Sequence, residues 1–68
     1  MVEVDAQGLF CPEPLIMAKA AVDKNPGEPV RILVDSAAAR DNIARMLRKT
    51  KREFSVAEND GIITIDVK

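Results

Sequence analysis

The side chain best suited to chemistry is Cys11, the only cysteine in a chain that contains no histidine. A single thiol cannot form a disulfide within the chain. One cysteine without histidine is too few ligands for a structural zinc site within one chain. The absence of histidine also excludes hydrolases of the Ser–His or Cys–His type. Any chemistry must therefore use this thiol together with carboxylates and amines.

The neighbours of Cys11 favour an exposed thiol over the small buried hydrophobe that a lone cysteine usually is. Cys11 follows a loop that contains Gly8 and precedes Pro12-Glu13-Pro14. Prolines are tolerated in the first turn of a helix, so we expect Cys11 at the N-cap and Pro12 at the first helical position. A helix amino terminus lowers a thiol pKa, whereas a nearby carboxylate such as that of Glu13 opposes thiolate formation. The sequence therefore predicts an accessible, moderately activated cysteine.

Basic side chains elsewhere would offset the effect of Glu13 if the fold brought them near the sulfur. The candidates are Lys19, Arg31 and Arg40. Their distance from Cys11 depends on how the elements pack, and no local pattern gives it. The degree of thiol activation is thus left open at this point.

The chain reads as two strands, each followed by a helix, and then a hairpin. Strands alternate apolar and polar residues, and helices repeat apolar residues every three or four positions. The first helix should end near Lys24, before Asn25-Pro26-Gly27, and Asp35 or Ser36 should cap the second. The apolar positions are Val2 and Val4; Leu15, Ala18 and Val22; Val30, Ile32 and Val34; Ala39, Ile43, Met46, Leu47 and Thr50; Phe54 and Val56; Ile63, Ile65 and Val67.

The fold predicted from this order, βαβαββ, is an α/β (α+β) two-layer sandwich. Asp60-Gly61 is typical of a two-residue hairpin turn, which would place Val56 opposite Ile65 and Phe54 opposite Val67. A βαβ crossover makes the first two strands parallel, so the four-stranded sheet is mixed, with both helices on one face. Two apolar side chains, Leu33 and Ile62, should point to the open face.

Size and composition limit the function further. The 68 residues have a mass of 7.4 kDa and are expected to form a single domain, residues 1–68. The net charge of −1 argues against non-specific binding of nucleic acid. No apolar run is long enough to span a membrane, and Val2-Glu3-Val4-Asp5 does not resemble a secretion signal. A cytoplasmic location is therefore expected.

The segment from Asp5 to Leu15, Asp-Ala-Gln-Gly-Leu-Phe-Cys-Pro-Glu-Pro-Leu, resembles the signature of the TusA/SirA-like sulfur-carrier family. That family shows Asp, Gly-Leu and Cys-Pro-x-Pro at this spacing in a small βαβαββ domain, so the resemblance extends over the whole chain. The second helix has no proline in Arg40-Asp41-Asn42-Ile43, unlike the branch that feeds tRNA thiolation. In this respect the chain is more similar to the YedF-type branch, which is associated with sulfur or selenium metabolism.

The resemblance implies a carrier that acts through a persulfide and is not an autonomous catalyst. Cys11 would accept sulfur from a cysteine desulfurase or another sulfur donor and pass it to a downstream acceptor protein. The same likeness gives supporting roles to Pro12, Glu13, Pro14, Gly8 and Asp5. No cofactor or metal is implied, and neither direct nucleic-acid binding nor a membrane partner is expected.

A basic segment covers residues 40–52 and contains six positive charges against the single carboxylate of Asp41. A solvated helix face explains most such segments. The alternative is a docking surface for an acidic partner, formed by Arg40, Arg45, Arg48 and Lys49. Two other functions stay open at this point: a regulatory interaction module that uses the basic second helix, and a thiol redox sensor at Cys11.

Overall fold

The computed structural model describes residues 2–9 and 13–68 of the chain. Its elements alternate as the apolar patterns predict. In chain order they are β1 (Val2–Asp5), α1 (Glu13–Lys24), β2 (Val30–Val34), α2 (Ala37–Lys49), β3 (Phe54–Asn59) and β4 (Ile62–Val67).

The four strands form one mixed sheet in the order β1-β2-β4-β3. β1 and β2 are parallel, with Val4 opposite Ile32. β4 lies antiparallel to both β2 and β3 and places Ile65 opposite Ile32. The predicted parallel pair and mixed sheet are thus confirmed.

Both helices cover the same face of the sheet. Alternate residues of β2 and β4 are buried on that face, as strand geometry requires, and they join the buried stripes of the two helices in one core. The largest side chains of this core, Ile32, Ile43, Leu47 and Ile65, are fully buried. The predicted two-layer sandwich is therefore the observed architecture.

Helix α1 ends at Lys24, where the sequence predicts its end. The side-chain amide of Asn25 donates to the carbonyl oxygen of Ala21 at 2.8 Å and so satisfies one of the last carbonyls of the helix. Ala18 and Val22 are buried and Leu15 packs against the core, as predicted. Pro14 is also fully buried, which the sequence pattern did not indicate.

Helix α2 is capped by Ser36 and not by Asp35. The Ser36 hydroxyl accepts a hydrogen bond from the amide of Ala39 at 3.1 Å. The predicted apolar stripe is correct for Ala39, Ile43, Met46 and Leu47 and wrong for Thr50, which is exposed after the last helical residue. There the Thr50 hydroxyl donates to the carbonyl oxygen of Leu47. The stripe includes Ala44 instead, which is buried.

The hairpin has the predicted turn and register. Asp60 and Gly61 both have positive φ, 53° and 80°, as a type I′ turn requires, and Asn59 pairs with Ile62 on either side of them. Phe54 lies opposite Val67 and Val56 opposite Ile65. Val56 is 43% exposed, and β3 is an edge strand of the sheet.

The other face of the sheet is not covered by the helices. Leu33 and Ile62 lie on it, as predicted from their alternation with buried neighbours. A salt bridge of 2.9 Å between Arg31 and Asp66 crosses from β2 to β4 on this face. The hydrogen bond to Asp66 and the charge of Asp66 raise the pKa of Arg31, and Glu3 adds a smaller effect. The face is therefore polar over this stretch.

Two isoleucines of β4 provide a matched test of which face is buried. Ile65 is fully buried, whereas Ile62 is 38% exposed on the opposite face. We expect Ile65→Val to lower the free energy of unfolding by about 1 kcal/mol, because a buried methylene is lost from a packed core. Ile62→Val should change it by less than about 0.5 kcal/mol, because that site is partly solvated.

Urea denaturation followed by circular dichroism measures both values. The substituted residue is β-branched in each variant, so intrinsic strand preference cancels between them. Equal losses in the two variants would contradict the assignment of the faces.

Candidate functional site

The structure describes the motif on both sides of Cys11, up to Leu9 and from Glu13 onward. Leu9 precedes it and is partly buried against the core. Glu13 follows it as the first residue of α1 and is exposed. Phe10, Cys11 and Pro12 lie outside the described residues, and so do the predictions that Cys11 caps α1 and that Pro12 begins it.

The loop after β1 is held by its own backbone and by Asp5. The Asp5 carboxylate accepts a hydrogen bond from the amide of Gln7 at 3.1 Å, which is the local arrangement of an Asx turn. The amide of Ala6 donates to the carbonyl oxygen of Leu33 at 2.8 Å and continues the pairing of β1 with β2. Ala6 is buried at this point. Asp5 thus ends β1 and accepts a hydrogen bond from the loop that follows it.

A second carboxylate reaches the same loop from β2. The amide of Gly8 donates to Oδ2 of Asp35 at 2.8 Å, across 27 positions of the chain. Gly8 has a φ of 75°, a left-handed conformation that costs a glycine little and an L-residue more. A Cβ at Gly8 would meet no atom within 4 Å, so the backbone angle and not crowding favours glycine there. Asp35 thus fixes the turn that leads to Cys11.

This loop lies at the edge of the sheet where β1 and β2 end. Because these strands are parallel, the helices that follow them, α1 and α2, both begin at this edge. A helix amino terminus carries partial positive charge from amide groups without helical partners. The described part of the motif, up to Leu9 and from Glu13 onward, therefore lies at the sheet edge where both helices begin.

The basic side chains considered as aids to thiol ionisation each have a carboxylate partner. Lys19 pairs with Asp23 at 2.8 Å, Arg31 with Asp66 at 2.9 Å, and Arg40 with Asp41 at 3.1 Å. Arg31 also lies on the sheet face away from the helices. Each of the three cations that the sequence suggested for offsetting Glu13 near the thiol is therefore already paired with a carboxylate.

The residues predicted for docking fall into two groups. Arg40 is bound to Asp41, and the guanidinium of Arg48 lies 5.8 Å from the centre of the Phe54 ring in a cation–π contact. Arg45 and Lys49 instead border a groove of about 430 Å³ between α1 and α2. The structure therefore separates four residues that the sequence grouped together.

Two features of the site were missed from the sequence. Asp35 was considered only as a helix cap, and its bond to Gly8 joins residues far apart in the chain. The groove depends on how α1 and α2 pack, and no local pattern gives that distance. A weak signal for Asp35 existed, because it directly follows β2 at the same sheet edge as the loop after β1.

The described residues contain no second cluster of side chains suited to catalysis or metal binding. Within residues 2–9 and 13–68, no polar or charged side chain is buried and no three potential ligands are grouped for a metal ion. Neither of the described helices combines the length and the apolarity needed to cross a bilayer. The chemistry predicted from the sequence continues to depend on Cys11.

Comparisons with known proteins agree with the resemblance found in the motif. The sequence profile of the family described as "Sulfurtransferase TusA" matches residues 2–68. A protein of Archaeoglobus fulgidus named "Putative sulfur carrier protein" is 37% identical over 71 residues, which cover 100% of this chain and 92% of that protein.

A solved structure shows the same architecture. The crystal structure of the SirA-like protein from Desulfitobacterium hafniense superimposes with a TM-score of 0.92 at 31% sequence identity. The match covers 98% of this chain and 95% of that one. With its profile match, its curated relative and its fold in agreement, the chain belongs to the TusA/SirA-like family of sulfur carriers.

Proposed function

We propose that this protein carries sulfur as a persulfide on Cys11. The sulfur comes from a cysteine desulfurase, or from a donor with similar chemistry, and goes to an acceptor protein. The domain, residues 1–68, presents the sulfur, while the donor and the acceptor provide the catalysis. Family membership supports the carrier role, and the position of the motif supports Cys11 as the residue that performs it.

The transfer is a thiol–persulfide exchange. The thiolate Sγ of Cys11 attacks the terminal sulfur of the donor's cysteine persulfide, and a new S–S bond forms as the donor's S–S bond breaks. The bonding electron pair leaves on the donor's sulfur, which takes up a proton from solvent to replace the one that Cys11 lost. In the second step a nucleophile of the acceptor attacks the terminal sulfur, and Cys11 leaves as a thiolate. Neither step needs an external oxidant or reductant.

The observation that carries the proposal is the fixing of the chain on both sides of Cys11. Three positions before it, the Gly8 amide is bound to Asp35, and three positions after it, Pro14 is fully buried in the core. Two anchors six positions apart hold the ends of the intervening segment at defined places on the fold. Such anchoring suits a thiol that must meet the reactive groups of two different enzymes.

The sequence contains no second thiol that could remove the sulfur from Cys11. Cys11 is the only cysteine, so no second thiol of the same chain can attack the persulfide. A thioredoxin-like oxidoreductase needs such a resolving thiol nearby. A lone thiol therefore favours storage and relay of sulfur over dithiol redox chemistry.

The surface of α1 just after the motif supports contact with protein partners. Ile16 is 60% exposed and Met17 is 37% exposed. Adjacent exposed apolar side chains are more informative than scattered ones, because they lower the free energy of association when another protein covers them. Both lie within the first two turns of α1, close in sequence to Cys11.

The thiol is tested directly by sulfur loading. After incubation with a cysteine desulfurase and L-cysteine, the intact mass of the wild-type protein should increase by one sulfur atom, and Cys11→Ala should show no increase. Treatment with dithiothreitol should remove the added sulfur, because a persulfide is reducible. Loading of Cys11→Ala, or no loading of the wild type, would refute the proposal. Rapid formation of a sulfenic acid with peroxide, in place of sulfur loading, would favour the redox-sensor alternative.

The role of Asp35 in positioning the motif gives a second test. We expect Asp35→Ala to slow sulfur loading of Cys11 by up to about tenfold, because a hydrogen bond to a charged acceptor contributes roughly 1.5 kcal/mol. Asp35→Asn retains a side-chain oxygen that can accept from Gly8 and should keep most of the rate. The measurement is the initial rate of mass gain at a fixed donor concentration.

Asp66→Ala is the matched control for Asp35→Ala. It also removes one carboxylate and one hydrogen bond, but on the open face of the sheet between β2 and β4. It should leave the loading rate unchanged. A loss of rate in Asp66→Ala equal to that in Asp35→Ala would mean that general destabilisation, and not the position of the loop, controls loading.

A further inference from the structure

The groove between the two helices combines an apolar floor with basic walls. Leu15 of α1 and Met46 of α2 form the apolar part, and both also pack against the core from partly buried positions. Lys19, Arg45 and Lys49 provide the basic groups around it. The groove volume of about 430 Å³ accommodates a few side chains of another molecule.

Arg45 and Lys49 differ from Arg40, Arg48 and Arg52 in their state of pairing, and from Lys51, whose side chain is also unpaired among the described residues, in that they line the groove. Arg40 is bound to Asp41, Arg48 contacts the ring of Phe54, and Arg52 donates to the carbonyl oxygens of Glu28 and Lys68. Within the part of the chain that the structure describes, Arg45 and Lys49 have neither an ion pair nor a hydrogen bond through their side chains.

These two cations are also favourably spaced. They lie four positions apart on α2, so they are neighbours on one side of the helix, and both are exposed. Lys19 faces the same groove from α1, although it is held by Asp23. Two unpaired positive charges beside an apolar floor are complementary to carboxylates that flank an apolar side chain.

We propose that this groove docks an acidic, amphipathic segment of a partner protein. An apolar side chain of that segment lies between Leu15 and Met46, and its carboxylates pair with Arg45 and Lys49. Of the four residues predicted for docking, these two therefore make the contacts, while Arg40 and Arg48 stabilise the domain itself. The proposal goes beyond sulfur transfer, because binding at the groove requires no chemistry at Cys11.

A protein segment fits the groove better than RNA. Single-stranded RNA is bound largely by stacking of its bases on aromatic side chains. The chain has two aromatic residues, Phe10 and Phe54, and Phe54 is in contact with Arg48. The described lining of the groove contains no aromatic residue.

The probe is a fluorescein-labelled helical peptide of about 15 residues, long enough for measurable helicity, with Leu on one face and Glu on the other. Fluorescence anisotropy gives its dissociation constant, and nitrogen-15 chemical-shift changes locate it. We expect binding that shifts the amides of α1 and α2 around Leu15 and Met46. Lys49→Glu combined with Arg45→Glu should weaken it about tenfold, because two surface ion pairs are lost.

Lys51→Glu is the matched control for Lys49→Glu alone, because it makes the same change of charge two positions from Lys49 but outside the groove. It should alter the dissociation constant less than twofold. Cys11→Ala should bind the peptide with unchanged affinity, which separates failure of this proposal from failure of sulfur transfer.

Four results would overturn the proposal. One is the absence of binding, and another is equal binding of a peptide with Gln in place of every Glu. A third is equal weakening by Lys51→Glu and Lys49→Glu, which would indicate attraction to the basic segment as a whole. The fourth is a different occupant: displacement of the peptide by single-stranded polyuridine, or self-association through the groove in sedimentation experiments without peptide.

Discussion

The constraint on which this structure depends is that one small core must hold six elements. Burying one face of the sheet beneath two helices uses the apolar residues of every element, and no described polar or charged side chain is buried with them. A chain of this size buries only about 60% of the surface that it exposes when unfolded, so it has little core to spare for an enclosed active site. A site on its surface therefore suits this fold better than an enclosed one.

The edge where β1 and β2 end is well suited to this purpose. There two parallel strands end, both helices begin, and two aspartates accept hydrogen bonds from the loop that follows β1. Asp5 holds the loop locally, and Asp35 ties it to the neighbouring strand. The same parallel pairing that forms the core thus brings the carboxylate of Asp35 to the turn before Cys11. The position of the loop and the stability of the fold therefore both depend on the pairing of β1 with β2.

The features that the sequence predicts well are those set by residues close together in the chain. The strand alternation, the end of α1 and the Asp60-Gly61 turn depend on neighbouring residues, and the register of the hairpin follows from the turn itself. What it misses depends on packing between distant segments, as in the bond from Gly8 to Asp35 and the groove between the helices. The error at Thr50 is of another kind, because the periodic pattern continues past the residue where the helix ends.

Strand β3 is the more exposed of the two edge strands of the sheet. It pairs only with β4, and after Phe54 all its residues are exposed. A strand with one neighbour and few buried side chains opens at a lower free-energy cost than the strands at the centre. In the strand order it is also the edge farthest from β1, which leads into the Cys11 loop. Opening of β3 therefore breaks its pairing with β4 alone and leaves in place the pairing of β1 with β2, from which the loop held by Asp35 extends.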